Sequence, residues 1–120
     1  MAKRKHRLMP ATELPVGAHQ VVTIGRREIG LFNVEGIYHA LPNLCPHQLG
    51  PLCAGKVSGT TGAFAENDWQ LEWIYDGEIV TCPWHSLEYH IPTGRCLAFP
   101  EISIRHYDVV EEDGWLVIEL

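Results

Sequence analysis

The sequence contains no long hydrophobic run. None of its apolar stretches approaches the roughly 18 residues that a membrane-spanning helix needs. The first seven residues carry four basic side chains and lack the apolar segment of a secretory signal. We therefore expect a cytoplasmic protein that does not interact with membranes.

The motifs of several enzyme classes are also absent. The sequence has no glycine-rich phosphate loop, no nucleophile elbow, and no flavin or nicotinamide fingerprint. No second group of His and carboxylate residues has the spacing of a non-haem iron site, which needs two His and one carboxylate. The sequence therefore offers no candidate catalytic site of these classes.

Basic residues are scarce beyond the N terminus. The net charge is -6, and the chain after its first seven residues has five basic against fifteen acidic side chains. Acidic surfaces disfavour nucleic acids and favour basic patches on protein partners. We expect no nucleic-acid binding, and we expect the basic start to be a frayed, solvated terminus.

The pattern of short strands predicts an all-β protein. With 120 residues, 46% of them hydrophobic, the chain forms one expected domain, residues 1–120, that can bury a core without disulfides. Alternating residues and turn signals predict five strands outside the middle of the chain. These are His19 to Ile24, Glu28 to Val34, Ile37 to Leu41, Ile104 to Val110 and Trp115 to Leu120.

A further hairpin is predicted in the middle of the chain. Trp69, Leu71, Trp73 and Tyr75 alternate with polar residues, and Asp76-Gly77 has the sequence of a tight turn. We expect Trp69 and Trp73, like Trp115, to lie in the core. A single helical turn is expected at residues 11–14, with Thr12 near its cap.

Two short segments each combine a cysteine with a histidine. Cys45-Pro46-His47 and Cys82-Pro83-Trp84-His85 each present one thiolate and one imidazole, which are metal ligands of soft or borderline character. Zinc modules usually pair like with like, whereas both segments here are mixed. A [2Fe-2S] cluster with two Cys on one iron and two His on the other suits mixed segments. A structural zinc site is the alternative.

The C-x-H and C-x-x-H pair, with Pro after each Cys, resembles the Rieske motif. Further residues follow in the usual order of that family over essentially the whole chain: Gly50-Pro51-Leu52, Tyr89, Thr93-Gly94-Arg95 and Pro100. The resemblance implies one [2Fe-2S] cluster bound by Cys45, His47, Cys82 and His85. It also implies three stacked antiparallel sheets in a sandwich-like arrangement, with a cluster-binding subdomain of about residues 43–98 at one tip.

Charge predicts the redox behaviour of such a cluster. Two ferric ions, two sulfides and two thiolates cancel, so two neutral imidazoles leave the assembly neutral, whereas four thiolates would make it doubly negative. A neutral assembly accepts an electron more easily, which raises the potential from about -400 mV to between about -150 and +300 mV.

Several nearby residues place the expected potential low in that range. High-potential Rieske proteins have an extra Cys pair, which would fall at Gly50 and Trp84, and a Ser where this chain has Leu87. Tyr89 matches the position whose hydroxyl bonds a ligand sulfur in the family. We expect about -150 to 0 mV, with Trp84 shielding the cluster.

The resemblance implies a soluble one-electron carrier. Its expected partners are an NAD(P)H-dependent flavoprotein ferredoxin reductase, which supplies electrons, and a terminal Rieske non-haem iron oxygenase, which accepts them at the edge formed by His47 and His85. Three alternatives remain. They are a small subunit of an assimilatory nitrite reductase, an auxiliary protein of another redox enzyme, and a zinc-binding interaction module.

Two features depart from the family pattern. Thirty-four residues separate His47 from Cys82, so the segment around Thr60 to Asp68 is an insertion that extends a hairpin. It is either a docking finger beside the cluster or a longer solvent-exposed loop. Ser86 stands where the family commonly has Gly, which is unfavourable if the backbone there needs a positive φ.

The remaining cysteines and histidines are not expected to be ligands. Cys53 and Cys96 are predicted to be free, buried thiols that act as small hydrophobic residues. The histidines outside the two segments are not assigned as metal ligands either, because they do not form a second group with carboxylates at suitable spacing. They are His6, His19, His39, His90 and His106.

Overall fold

The computed structural model describes residues 4–44, 51–63, 65–83 and 86–119. These residues form antiparallel strands and short 3₁₀ turns, which confirms the predicted all-β class. The strands are β1 (Lys5–Pro10), β2 (His19–Ile24), β3 (Arg27–Val34), β4 (Ile37–Pro42), β5 (Lys56–Ala63), β6 (Leu71–Thr81), β7 (Glu88–His90), β8 (Tyr107–Glu112) and β9 (Trp115–Glu119). The 3₁₀ turns are Ala11–Glu13, Leu52–Ala54 and Ala65–Asn67. Across these described ranges, no helix is long and apolar enough to cross a membrane.

The strands form three layers. Six strands make one sheet in the order β1-β9-β8-β4-β3-β2, and the other three make a sheet in the order β5-β6-β7. Only two residue pairs join β4 to β8, so the larger sheet consists of two three-stranded halves. One buried cluster lies between these halves, and a second packs β3 and β4 against the smaller sheet. The three predicted sheets are therefore present as three layers, although the pairing of β4 with β8 joins two of them into one sheet.

The meander β2-β3-β4 forms as predicted, with β3 beginning one residue early. Its central strand is buried on both faces, because Leu31 packs in one core and its neighbour Phe32 packs in the other. In β4 the adjacent residues Ala40 and Leu41 are divided in the same way. Ile37, the first residue of β4, is 64% exposed because it lies at the turn between β3 and β4.

The prediction of a frayed N terminus is wrong from Lys5 onward. Residues 5–10 form β1, which pairs with β9 along its length and buries Met9. Lys5 Nζ lies 2.9 Å from a carboxylate oxygen of Glu112, and this hydrogen bond raises the pKa of the lysine. A partner distant in sequence therefore orders a segment whose composition alone suggested a solvated tail.

The predicted hairpin turn at Asp76-Gly77 is also wrong. β6 runs without reversal through these residues and pairs with β5 on both sides of them. Thr60 pairs with Ile74 and Ser58 pairs with Ile79, so four residues of β6 bulge opposite the single residue Gly59. The positive φ values of Tyr75 and Gly77, 54° and 78°, accommodate this bulge instead of a chain reversal.

The prediction that Trp69 and Trp73 belong to the core is wrong. Their side chains are 68% and 59% exposed, and Leu71 between them is 76% exposed. Trp115 is half-buried. Alternation showed which residues share a face of β6, but it did not show that the outer part of this strand has no layer above it.

The C-terminal hairpin forms over a shorter range than predicted. β8 begins at Tyr107 rather than Ile104 and reverses through Asp113 and Gly114, which both have positive φ. The predicted turn after Pro10 is present as a 3₁₀ turn, but no side chain caps it, so Thr12 does not have the predicted role.

Candidate metal centre

Of the four predicted ligands, only Cys82 lies within the described residues; Cys45, His47 and His85 lie outside them. Cys82 directly follows β6 and is fully buried. Its neighbours in the core cluster include Leu52, Tyr89 and the half-buried Leu87. The cysteine is not in a disulfide, and a buried thiolate needs a compensating positive charge. The donor chemistry and burial of Cys82 therefore fit a metal ligand.

A side-chain hydrogen bond closes the base of the first predicted ligand segment. Oδ1 of Asn43, two residues before Cys45, accepts a hydrogen bond of 2.7 Å from the backbone N–H of Cys53. The N–H of Asn43 donates to the carbonyl of Glu28 at 2.9 Å, which ties it to β3. The chain on the two sides of Cys45 and His47 is thus held at a fixed separation.

A backbone hydrogen bond closes the base of the second segment. The N–H of Cys82 donates to the carbonyl of Leu87 at 2.8 Å, so the chain turns back across residues 82–87. Ser86 adopts a φ of 57° in this turn, which is the conformation for which the family's Gly is suited. Ser86 therefore has the positive φ that is unfavourable for a residue other than glycine.

Changing Asn43 to Ala should loosen the first segment. The variant leaves the Cys53 N–H without its acceptor, which costs about 1–3 kcal/mol when the donor stays buried. We expect a lower midpoint of thermal unfolding and faster bleaching of the cluster's visible absorption in a chelator. Asn43→Asp keeps an acceptor oxygen and should behave nearly as the wild type. Equal bleaching rates in all three proteins would show that this hydrogen bond does not hold the segment.

Changing Ser86 to Gly should stabilise the protein. A non-glycine residue in the left-handed region costs about 1 kcal/mol, and glycine removes that cost. For a domain of this size, the gain corresponds to a rise of about 4 °C in the unfolding midpoint. Ser103→Gly is the matched control, because Ser103 is an exposed serine without a positive φ and should lose stability. A decrease for both variants would contradict the strain assigned to Ser86.

Tyr89 lies beside the end of β6, where the predicted ligand Cys82 begins the second segment. It pairs with Val80 across β6 and β7, and its side chain is fully buried in the cluster that contains Cys82. Leu87 packs against the same cluster and has no hydroxyl to donate. Among the described residues, Cys82 and Tyr89 thus belong to one apolar cluster, and Tyr89 is the member of it that carries a hydroxyl. The predicted bond from that hydroxyl to a ligand sulfur stays a prediction.

Cys53 and Cys96 are free and buried, as predicted. Burial raises the pKa of the Cys53 thiol to about 12. Its sulfur lies 3.6 Å from the carbonyl oxygen of Leu41 and 3.5 Å from that of Pro42, so the protonated thiol donates to the backbone. Its side chain also fills the space above Gly30, where a Cβ would collide with it. Cys53 is therefore a packing residue of the core.

Four histidines outside the predicted quartet have contacts of other kinds. His39 Nδ1 and His106 Nε2 are 2.9 Å apart, and burial followed by the charge of His106 lowers the pKa of His39. His90 contacts Glu78 and Thr93, and His19 stacks on Phe32. Across the ranges that the structure describes, no three His, Cys, Asp or Glu side chains form a metal-binding group.

Comparison with known proteins identifies the relatives of this chain. The family model for the Rieske [2Fe-2S] domain matches residues 4–108. The ferredoxin component of a naphthalene 1,2-dioxygenase system from Pseudomonas aeruginosa is 32% identical over 109 residues, covering 90% of this chain and 88% of that protein.

Solved structures agree in fold. A ferredoxin from Sphingomonas yanoikuyae B1 superposes with a TM-score of 0.72 at 30% identity, covering 98% of this chain and 99% of that one. The structure described as a putative NADH-dependent nitrite reductase small subunit from Mycobacterium tuberculosis has a TM-score of 0.74 at 17% identity, covering 100% and 97%. At that identity the second likeness concerns the fold alone.

Proposed function

Since the chain belongs to the Rieske [2Fe-2S] domain family, we propose that it is a one-electron carrier serving an aromatic-ring-hydroxylating oxygenase. The observation that carries this proposal is its 32% identity to a dioxygenase ferredoxin component over nearly the full length of both chains. The protein is an electron-transfer component and not an enzyme, and it contains one [2Fe-2S] cluster.

The proposed ligands are Cys45 and Cys82 for one iron and His47 and His85 for the other. The cluster supplies reversible uptake of a single electron. Burial of Cys82 at the end of β6 supports its assignment, and the closures at Asn43 and at Leu87 would hold the two segments facing one another. Residues 43–98 form the proposed cluster-binding subdomain within a single domain of residues 1–120.

The environment of Cys82 is consistent with a potential in the lower part of the Rieske range. Hydrogen bonds to ligand sulfurs raise the potential because they stabilise the added negative charge. The side chain of Leu87 offers no such bond, and the hydroxyl of the buried Tyr89 is the proposed donor to a ligand sulfur. We expect about -150 to 0 mV.

The proposed partners are a flavoprotein ferredoxin reductase and a terminal Rieske oxygenase. NAD(P)H yields electrons in pairs and the oxygenase takes them singly, so a one-electron carrier connects the two. The net charge of -6 would guide the carrier to basic surfaces, through an attraction that weakens with salt. We place this exchange in the cytoplasm.

Voltammetry of the purified protein, with assays for iron and acid-labile sulfide, tests the proposal. The expected result is two irons and two sulfides per chain and a reversible one-electron wave between about -150 and 0 mV. Zinc without sulfide, and no wave, would instead favour a zinc-binding module. Copurification with a large haem-containing reductase would favour the nitrite reductase alternative, and a wave near +300 mV would contradict the account of Leu87 and Tyr89.

A further inference from the structure

The outer part of the β5–β6 pair forms a two-stranded ribbon. Thr60–Ala63 of β5 pairs with Leu71–Ile74 of β6, and we call these paired residues and their connection the outer ribbon. β7 reaches β6 only at residues 79–81, so in the described part of the chain no third strand supports the outer ribbon. A two-stranded ribbon is only marginally stable by itself, and large exposed apolar side chains on it are not explained by packing within the described part of the protein.

One face of the outer ribbon is apolar and exposed. Leu71 and Trp73 lie on the same side of β6 by strand alternation, and Trp69 precedes them at the tip. Trp69, Leu71 and Trp73 expose 68%, 76% and 59% of their surfaces. Contiguous exposed apolar surface of this kind typically marks a site of protein contact.

Trp73 is held in a fixed orientation. Its indole N–H donates to Oδ1 of Asp76 at 3.0 Å. Its ring lies over Gly59 of the neighbouring strand, where a Cβ would come within 2.8 Å of ring atom Cε2. A partner would therefore meet an indole that has already lost much of its rotamer freedom, which reduces the entropic cost of binding. Tryptophans in such positions are frequent hot spots of interfaces.

Charge indicates what kind of surface covers this face. Residues 60–76 contain four acidic side chains and no Lys or Arg. A symmetric contact between two copies would bring two such acidic segments together, and like charges across an interface are unfavourable. A partner with an apolar centre and a rim of Lys and Arg would match both features of the ribbon.

The position of the ribbon separates docking from electron transfer. β6 ends immediately before Cys82, and its stretch from Leu71 to Thr81 pairs with the eight residues of β5, so Leu71 lies about 25 Å along the strand from that cysteine. A partner bound to the outer ribbon would leave the environment of Cys82 unchanged.

We propose that Trp69, Leu71 and Trp73 form an anchoring surface for a redox partner that presents an apolar patch rimmed by Lys and Arg. This inference rests on the proposed function for the identity of the partner class. The surface contributes affinity, and the segments at the other end of β6 carry the electron. Removing its apolar side chains should therefore change how much carrier the partner requires without changing the carrier's potential.

The test uses the cluster-loaded chain with the reductase and oxygenase components of a naphthalene 1,2-dioxygenase system. The variants are Trp73→Ser and Leu71→Ser, and the matched controls are Ile37→Ser and Val110→Ser, which alter exposed apolar residues of other strands. We expect the carrier concentration giving half the maximal NADH-dependent rate to rise at least tenfold for the ribbon variants. The maximal rate, the potential and the visible spectrum should stay as in the wild type, and the controls should not change.

Carbodiimide cross-linking of the same mixture provides an independent readout. This reagent joins carboxylates to lysine amines in contact, so the ribbon carboxylates Glu66 and Asp68 should be joined to lysines of the reductase or the oxygenase. Cross-links to these partners only at carboxylates elsewhere, or from the ribbon only to a second copy of this chain, would overturn the proposal. Turnover that is equal in the wild type and the ribbon variants would also overturn it while leaving the proposed function intact. Ribbon cross-links without any electron transfer would support the anchor and contradict the proposed function.

Discussion

Changing Cys82 to Ser should abolish cluster assembly. Cys82 is the described member of the proposed quartet, and iron in these clusters requires a soft thiolate that a serine hydroxyl does not replace. We expect loss of essentially all acid-labile sulfide and of the visible absorption of the cluster. The variant should also unfold at a lower temperature than the loaded wild type, because ligand binding to the native state stabilises it. Iron and sulfide assays with visible spectroscopy provide the measurement.

Cys96→Ala and Cys53→Ala are the matched controls for this experiment. All three cysteines are almost fully buried, so general damage to the core would affect them alike. The control variants should lose about 1 kcal/mol of stability from the deleted thiol and keep the full complement of iron and sulfide. Retention of the cluster in Cys82→Ser, or its equal loss from the controls, would contradict the assignment of Cys82.

Changing His47 to Cys should lower the reduction potential by roughly 100–250 mV. The substitution replaces a neutral imidazole with a thiolate, so the oxidised assembly changes from neutral to singly negative and accepts an electron less readily. Four-thiolate ferredoxins differ from Rieske centres by two such replacements, so one replacement should shift the reduction potential by about half of the difference between the two classes. Film voltammetry of the reconstituted variant measures it directly.

His19→Cys is a suitable comparison for that measurement. His19 stacks on Phe32 in the meander and is not a proposed ligand, so a cysteine there adds no charge to the cluster. Its potential should match the wild type within experimental error. An unchanged potential in His47→Cys, with the cluster intact, would mean that His47 is not a ligand.

The local chemistry of the sequence was sufficient for much of the cofactor assignment. The mixed Cys and His segments with Pro after each Cys predicted the family that the comparison finds. The thiols of Cys53 and Cys96 were correctly predicted to be free and buried, because unpaired cysteines in a chain expected to be cytoplasmic stay reduced and pack as small hydrophobic residues. Ligand spacing depends on a few neighbouring residues, so it can be recognised without knowing the fold.

Prediction of strands succeeded where pairing was local. β2, β3 and β4 follow one another through tight turns, so each strand finds its partner nearby and the alternating pattern is reliable. β1 was missed because its partner β9 is about a hundred residues away along the chain. Nothing within residues 5–10 indicates that pairing.

The bulge in β6 illustrates a different ambiguity. Asp76-Gly77 has the sequence of a hairpin turn, and its positive φ at Gly77 is the conformation such a turn needs. The same backbone conformation also serves a bulge, and only the continued pairing of β6 with β5 decides between them. Turn chemistry therefore identified the conformational break but not its consequence for chain direction.

The sequence by itself predicted the all-β class and the strands that pair with near neighbours, and it is the basis of the proposed ligand quartet, because each depends on short-range chemistry. Only the tertiary structure shows that Trp69 and Trp73 are exposed. Alternation assigns residues to one face of a strand, and the neighbouring layer decides whether that face is covered. Trp69, Leu71 and Trp73 do not belong to the buried cluster that packs the smaller sheet against β3 and β4, so their side chains remain exposed. Long-range pairing and layer packing thus place two tryptophans at the surface, where their sequence pattern predicted a core.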